Sequence, residues 1–121
     1  DNSFAGDRTQ ASSAMQFGSD APQGPFELTS FGVAPNPFDI ETYFMIQVSR
    51  EAEITIDLYT LTGEAVRTLE ETYIGGGVQE FRWNGKNNAE NDVAAGVYIY
   101  RVQIKNGGNT LEKIGKLGVM R

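Results

Sequence analysis

"AEITIDLYT", residues 52–60, decides the fold. Ile54, Ile56 and Leu58 alternate with Glu53, Thr55, Asp57 and Tyr59. Side chains of a β-strand point to opposite faces in turn, so this stretch predicts a strand with one dry and one wet face. "LTGEAV" follows and predicts a turn at Gly63, then a strand over about Ala65–Thr72. Upstream, Thr42–Val48 has the same rhythm, with Phe44, Ile46 and Val48 on one side and Tyr43, Met45 and Gln47 on the other.

The period of two continues in both directions. Leu28–Val33 predicts a first strand, and "APNPFD" ends it. Pro35 and Pro37 remove two amide donors and hold Ala34 and Asn36 extended, so no ladder is expected there. Phe38 is expected to plug one end of a core. "GGG" at 75–77 predicts a turn, Val78–Trp83 a strand, and Val97–Lys105 another. "NGGN" at 106–109 reads as a hairpin turn, because Asn and Gly tolerate positive φ. Leu111–Met120 completes about seven strands. No stretch has a convincing helical period, and the whole predicts an antiparallel two-sheet sandwich over 28–121.

Residues 1–27 differ. They contain no Val, Ile or Leu and are rich in Ser, Gly, Ala, Gln and Asp. Such a composition buries too little apolar surface to offset ordering, which predicts an irregular low-complexity arm or linker. The alternative is an arm laid on a neighbouring copy, by strand addition or by burying Phe4, Met15 and Phe17, which would make the chain a subunit of a filament or coat.

Length and composition narrow the function. A chain of 121 residues suits one core. Its net charge of −6 opposes non-specific nucleic-acid binding and docking on anionic lipid. There is no Cys and no His, which removes thiol nucleophiles, Ser–His–Asp triads and the commonest transition-metal ligands. No apolar run approaches the roughly 20 residues that cross a bilayer, so no membrane insertion is expected. No phosphate loop occurs, since "GGG" precedes a strand. Glu53, Asp57, Glu70 and Glu71 read as solvated charges. No catalysis and no cofactor are expected.

The polar stretch "WNGKNNAENDVAAG", residues 83–96, is the one candidate cation site. Asn87, Glu90 and Asp92 could supply oxygen ligands, but the spacing does not follow an EF-hand loop. A tight connection is the favoured reading, because Asn side chains bond their own backbone. Trp83, Tyr98 and Tyr100 could form a carbohydrate platform, although aromatics at period two more often fill a core. Lys105, Lys113, Lys116 and Arg121 make the last segment locally basic. That is the usual guard of an edge strand, or a tail read by a receptor.

Taken in order, "APNPF", "ITIDLYTLTGEAVRTL", "FRWNGKNNAENDVAAGVYIYRV" and a short basic last strand resemble the C-terminal sorting domains of the Bacteroidetes type IX secretion system. They are similar also to the related Ig-like domain of the flagellar hook-capping protein. The resemblance covers about residues 33–121. It implies an Ig-like sandwich and a module for secretion and attachment at the cell surface, recognised by outer-membrane secretion machinery and often cleaved by a surface enzyme. Its recurring positions correspond to Pro35, Asn36 and Pro37, to Gly63, to Gly96 and Tyr98, and to terminal basic residues, here Lys113, Lys116 and Arg121. Where that family has Gly near position 91, this chain has Asn91, which can take the same left-handed backbone.

Overall fold

A computed structural model describes residues 25–121. Seven strands form: β1 (Leu28–Ala34), β2 (Thr42–Val48), β3 (Ala52–Thr60), β4 (Ala65–Tyr73), β5 (Gln79–Trp83), β6 (Gly96–Asn106) and β7 (Asn109–Val119). They pair antiparallel into a three-stranded sheet, β1-β2-β5, and a four-stranded sheet, β4-β3-β6-β7. The sandwich read from the alternation is therefore the fold. Phe4, Met15 and Phe17 lie outside the described residues.

The core is the sum of the dry faces. Phe44, Ile46 and Val48 of β2 meet Ile54, Ile56 and Leu58 of β3 and Val102 and Ile104 of β6, all buried. Burying an aliphatic or Phe side chain contributes about 1.5–3 kcal/mol, so these inward positions outweigh any single surface contact. Their outward neighbours stay wet. Asp57 accepts a hydrogen bond from the Thr68 hydroxyl at 2.8 Å, and Glu53 accepts one from Thr72 at 3.3 Å. These are cross-strand pairs on the outer face.

Aromatics close one end. Phe38 is 1% exposed and packs edge-on against Trp83, whose ring also meets Tyr98. Trp83, Tyr98 and Tyr100 are all buried, so they offer no flat platform to a sugar. Their polar tips are satisfied locally: the Trp83 indole N–H donates to the Lys86 carbonyl at 2.9 Å and the Tyr98 hydroxyl to Ala94 at 2.6 Å. Burial raises the pKa of Tyr100.

No ladder runs through Pro35–Pro37, as the two prolines predict, and the chain beyond them makes a single isolated parallel bridge, Phe38 to Val119. At Gly96 the space where a Cβ would stand is open, and the φ of 151° is what favours glycine. In the 84–95 connection left-handed backbone falls on Gly85, at φ 73°, and on Glu90, at φ 64°, and not on Asn91.

Candidate functional site

Residues 84–95 bring together the candidate cation ligands, and each already has a partner. The Asn84 side-chain oxygen accepts from the Lys86 N–H at 3.1 Å. The Asn87 oxygen accepts from the N–H groups of Ala89 and Asn91, both at 3.0 Å. Glu90 pairs with Arg67 at 2.8 Å, and Asp92 with Lys86 at 3.0 Å. The Lys86 ammonium holds the Asp92 carboxyl below the usual carboxylate range. A cation would have to displace two basic side chains and undo an Asx turn. Among the described residues, no group of three or more His, Cys, Asp or Glu is placed to hold a metal. The connection is instead an edge cover. Asn88 donates its N–H to the Val66 carbonyl at 3.0 Å and accepts from the Thr68 N–H at 3.1 Å, which occupies the outer edge of β4.

The expected recognition residues Lys113, Lys116 and Arg121 separate into two kinds. Lys113 and Lys116 lie exposed on β7, the strand that ends the four-stranded sheet. The Lys113 ammonium stands 5.7 Å from the Phe31 ring centroid, so its stem covers an aromatic of β1. Arg121 is an exposed residue whose head group turns back onto the sandwich. Its guanidinium donates to the carbonyls of Gly85 at 2.8 Å, Val93 at 3.1 Å and Asp39 at 3.3 Å. It ties the end of the last strand to both the 84–95 connection and the PNPF turn.

That turn is the second half of the clasp. Asn36 uses its side-chain amide like a strand: Nδ2 donates to Lys116 O at 3.2 Å, and Oδ1 accepts from Gly118 N–H at 2.9 Å. Phe38 continues the pattern, donating to Gly118 O at 3.0 Å and accepting from Met120 N–H at 2.7 Å. Pro37 packs close, 3.0 Å from where a Gly118 Cβ would stand. Thr42, fully buried, donates its hydroxyl to Pro35 O at 2.6 Å and fixes the turn to β2. Pro35, Asn36 and Pro37 thus serve the last strand, a role that the turn composition alone did not reveal. Gly63 sits in the β3–β4 turn, donating to Thr60 O at 3.0 Å.

Gly115 is a position that sequence reasoning missed. A Cβ there would overlap the ring and hydroxyl of Tyr100, its cross-strand partner. The glycine lets that ring lie against β7, where it also meets Phe31 at 5.7 Å and Phe44 at 5.4 Å between centroids.

The resulting site is an exposed basic strand, clasped at its far end. A family model, the FlgD Ig-like domain, matches residues 36–108, so the whole of β7 lies beyond the matched part. No curated protein matches. Among solved structures, dimeric latent PorU from Porphyromonas gingivalis is similar in fold, with 21% identity and a TM-score of 0.66 over 74% of this chain and 9% of that one. PorZ, described as an essential surface component of the type-IX secretion system of the same bacterium, aligns at 23% identity and a TM-score of 0.48 over 75% of this chain and 11% of that one. The chain spans about a tenth of the length of either protein.

Proposed function

The chain belongs to the FlgD Ig-like domain family, and from that premise we propose that it is a non-catalytic module for secretion and cell-surface attachment. Its partner is outer-membrane secretion machinery, its place of action is outside the cell, and the surface that is read is the folded β7. The observation that carries this reading is the arrangement of the last strand. Lys113 and Lys116 are presented at a sheet edge, while Asn36, Phe38 and Arg121 hold the end of that strand in the sandwich. A receptor therefore meets a rigid, basic edge and not a loose tail. Rigid presentation lowers the ordering cost of binding.

A fusion of the 121-residue chain to the C-terminus of a reporter, in a bacterium with a type IX system, tests the proposal. Export and surface retention are expected, and the Lys113→Glu/Lys116→Glu pair should abolish both. Export that is equal with and without the fused chain would refute it.

A further inference from the structure

β7 ends its sheet, so one row of its backbone groups faces away from β6. The bonds to Asn36 and Phe38 identify that row, since Lys116 O, Gly118 N–H, Gly118 O and Met120 N–H all point outward. The β6–β7 register runs from Asn106↔Asn109 to Gly96↔Val119 without a shift. Backbone direction alternates along an antiparallel ladder, so the N–H and C=O groups of Thr110, Glu112 and Ile114 point outward too. Among the described residues none of these groups has a hydrogen-bond partner. The clasp covers the strand from Lys116 onward and leaves this window bare.

The contrast with the opposite outer strand is sharp. β4 is covered at Val66 and Thr68 by Asn88, and further along by Gln79, whose side chain donates to Thr72 O at 2.9 Å and accepts from Ile74 N–H at 3.3 Å. An uncovered strand edge invites pairing, and proteins ordinarily block it. Here no hydrogen-bonding cover lies on the window among the described residues, and what guards it is its lysines, which repel a basic strand and admit an acidic one.

The window also has a defined chemistry. Ile114 is 59% exposed, and Lys113 and Lys116 flank it with no ion-pair partner among the described residues. Glu112 is already neutralised by Arg101 at 2.5 Å. We infer that the β7 edge from Thr110 to Lys116 is a strand-addition site for an extended, acidic segment of a partner protein. The segment pairs antiparallel, placing an apolar residue opposite Ile114 and carboxylates opposite Lys113 and Lys116. Strand addition supplies affinity through the main chain and selectivity through alternate side chains. Among the described residues a second copy is the poorer fit: its β7 carries the same lysines, and Asn88 and Gln79 cover parts of its acidic β4. The inference rests on the reading of β7 as the recognised strand and names what recognises it.

The test uses the 121-residue chain and a labelled synthetic peptide, acetyl-Asp-Thr-Ile-Glu-Thr-Val-Thr-amide, with a control in which Lys replaces both acids. The acidic peptide should bind, and should slow amide exchange at Thr110, Glu112, Ile114 and Lys116. The Lys control should bind at least roughly tenfold more weakly. Lys113→Glu/Lys116→Glu should reverse that preference. Ile114→Pro removes an outward donor without cutting the β6–β7 ladder, and should weaken binding roughly tenfold with the melting transition retained. Absent binding, protection elsewhere, unchanged binding to Ile114→Pro, or the same protection on raising the protein concentration without peptide would each overturn the inference. Loss of export in the Lys113→Glu/Lys116→Glu variant with full export of Ile114→Pro would overturn strand addition alone. Peptide binding at this edge, with export indifferent to both variants, would support the site and sink the secretion reading instead.

Discussion

Arg121→Ala separates the two meanings a terminal basic residue can have. If Arg121 is a handle for a receptor, its loss leaves the fold alone. The structure says it is a clasp. Two of its three hydrogen bonds, at 2.8 and 3.1 Å, have ordinary lengths, and the third, at 3.3 Å, is long. A hydrogen bond with one charged partner contributes about 1.5–3 kcal/mol net, and because Arg121 is an exposed residue the lower half of that range applies, so the two good bonds supply about 3–4.5 kcal/mol. Holding the arginine side chain still costs up to about 2 kcal/mol. The difference predicts a loss of about 1–2.5 kcal/mol. Gly85 O keeps a bond from Val93 N–H at 3.0 Å, so no full desolvation penalty is added there. For a domain of this size, that is a fall of roughly 5–15 °C in melting temperature. The assay is thermal unfolding by circular dichroism, with Lys116→Ala as the surface control, expected within about 0.5 kcal/mol of the parent. Arg121→Lys should recover less than half, because one ammonium cannot span carbonyls on three segments. The acceptors are uncharged, so the loss should persist in about 1 M salt, where exposed ion pairs are screened. A melting temperature within about 2 °C of the parent for Arg121→Ala would refute the clasp.

Other perturbations follow from particular contacts. Gly115→Ala drives a methyl group into the Tyr100 ring and should cost about 1–3 kcal/mol in urea unfolding, with part of the loss recovered when Tyr100 is also shortened to Leu. Asn88→Ala with Gln79→Ala uncovers β4 and should speed amide exchange at Thr68 and Ile74 while increasing concentration-dependent association, read by sedimentation. The Glu41 carboxyl is held below its ordinary 4.5 by the Tyr43 hydroxyl and then by Arg82, and Asp92 is held below 3.8 by Lys86. Both folded values lie under the unfolded ones, so the unfolded chain takes up these protons first. Their contribution is therefore present above those ordinary values and is lost as pH falls through the lowered folded ones. Denaturation midpoints should drop as pH falls below about 4.5, and Glu41→Gln with Asp92→Asn should flatten that slope.

Periodicity determined the sandwich, because the signal that a strand needs is carried by neighbours two residues apart. All seven strands were legible that way, to within a residue or two at most ends. The turns were legible too, since Gly63 and the 106–109 hairpin announce themselves by residue type. The nature of the 84–95 connection was legible for the same reason: Asn87 bonds backbone two and four residues on. What the last strand does at its two edges was not. Asn36 and Gly118 stand 82 positions apart, and Arg121 reaches carbonyls 28, 36 and 82 positions back. Lys113, Lys116 and Arg121 look alike in the sequence as one basic terminus. Only the closure of the sandwich decides that the two lysines point away while the guanidinium of Arg121, also an exposed residue, is held by three backbone carbonyls. An edge is a property of sheet order, and no local pattern states which strand will have no neighbour.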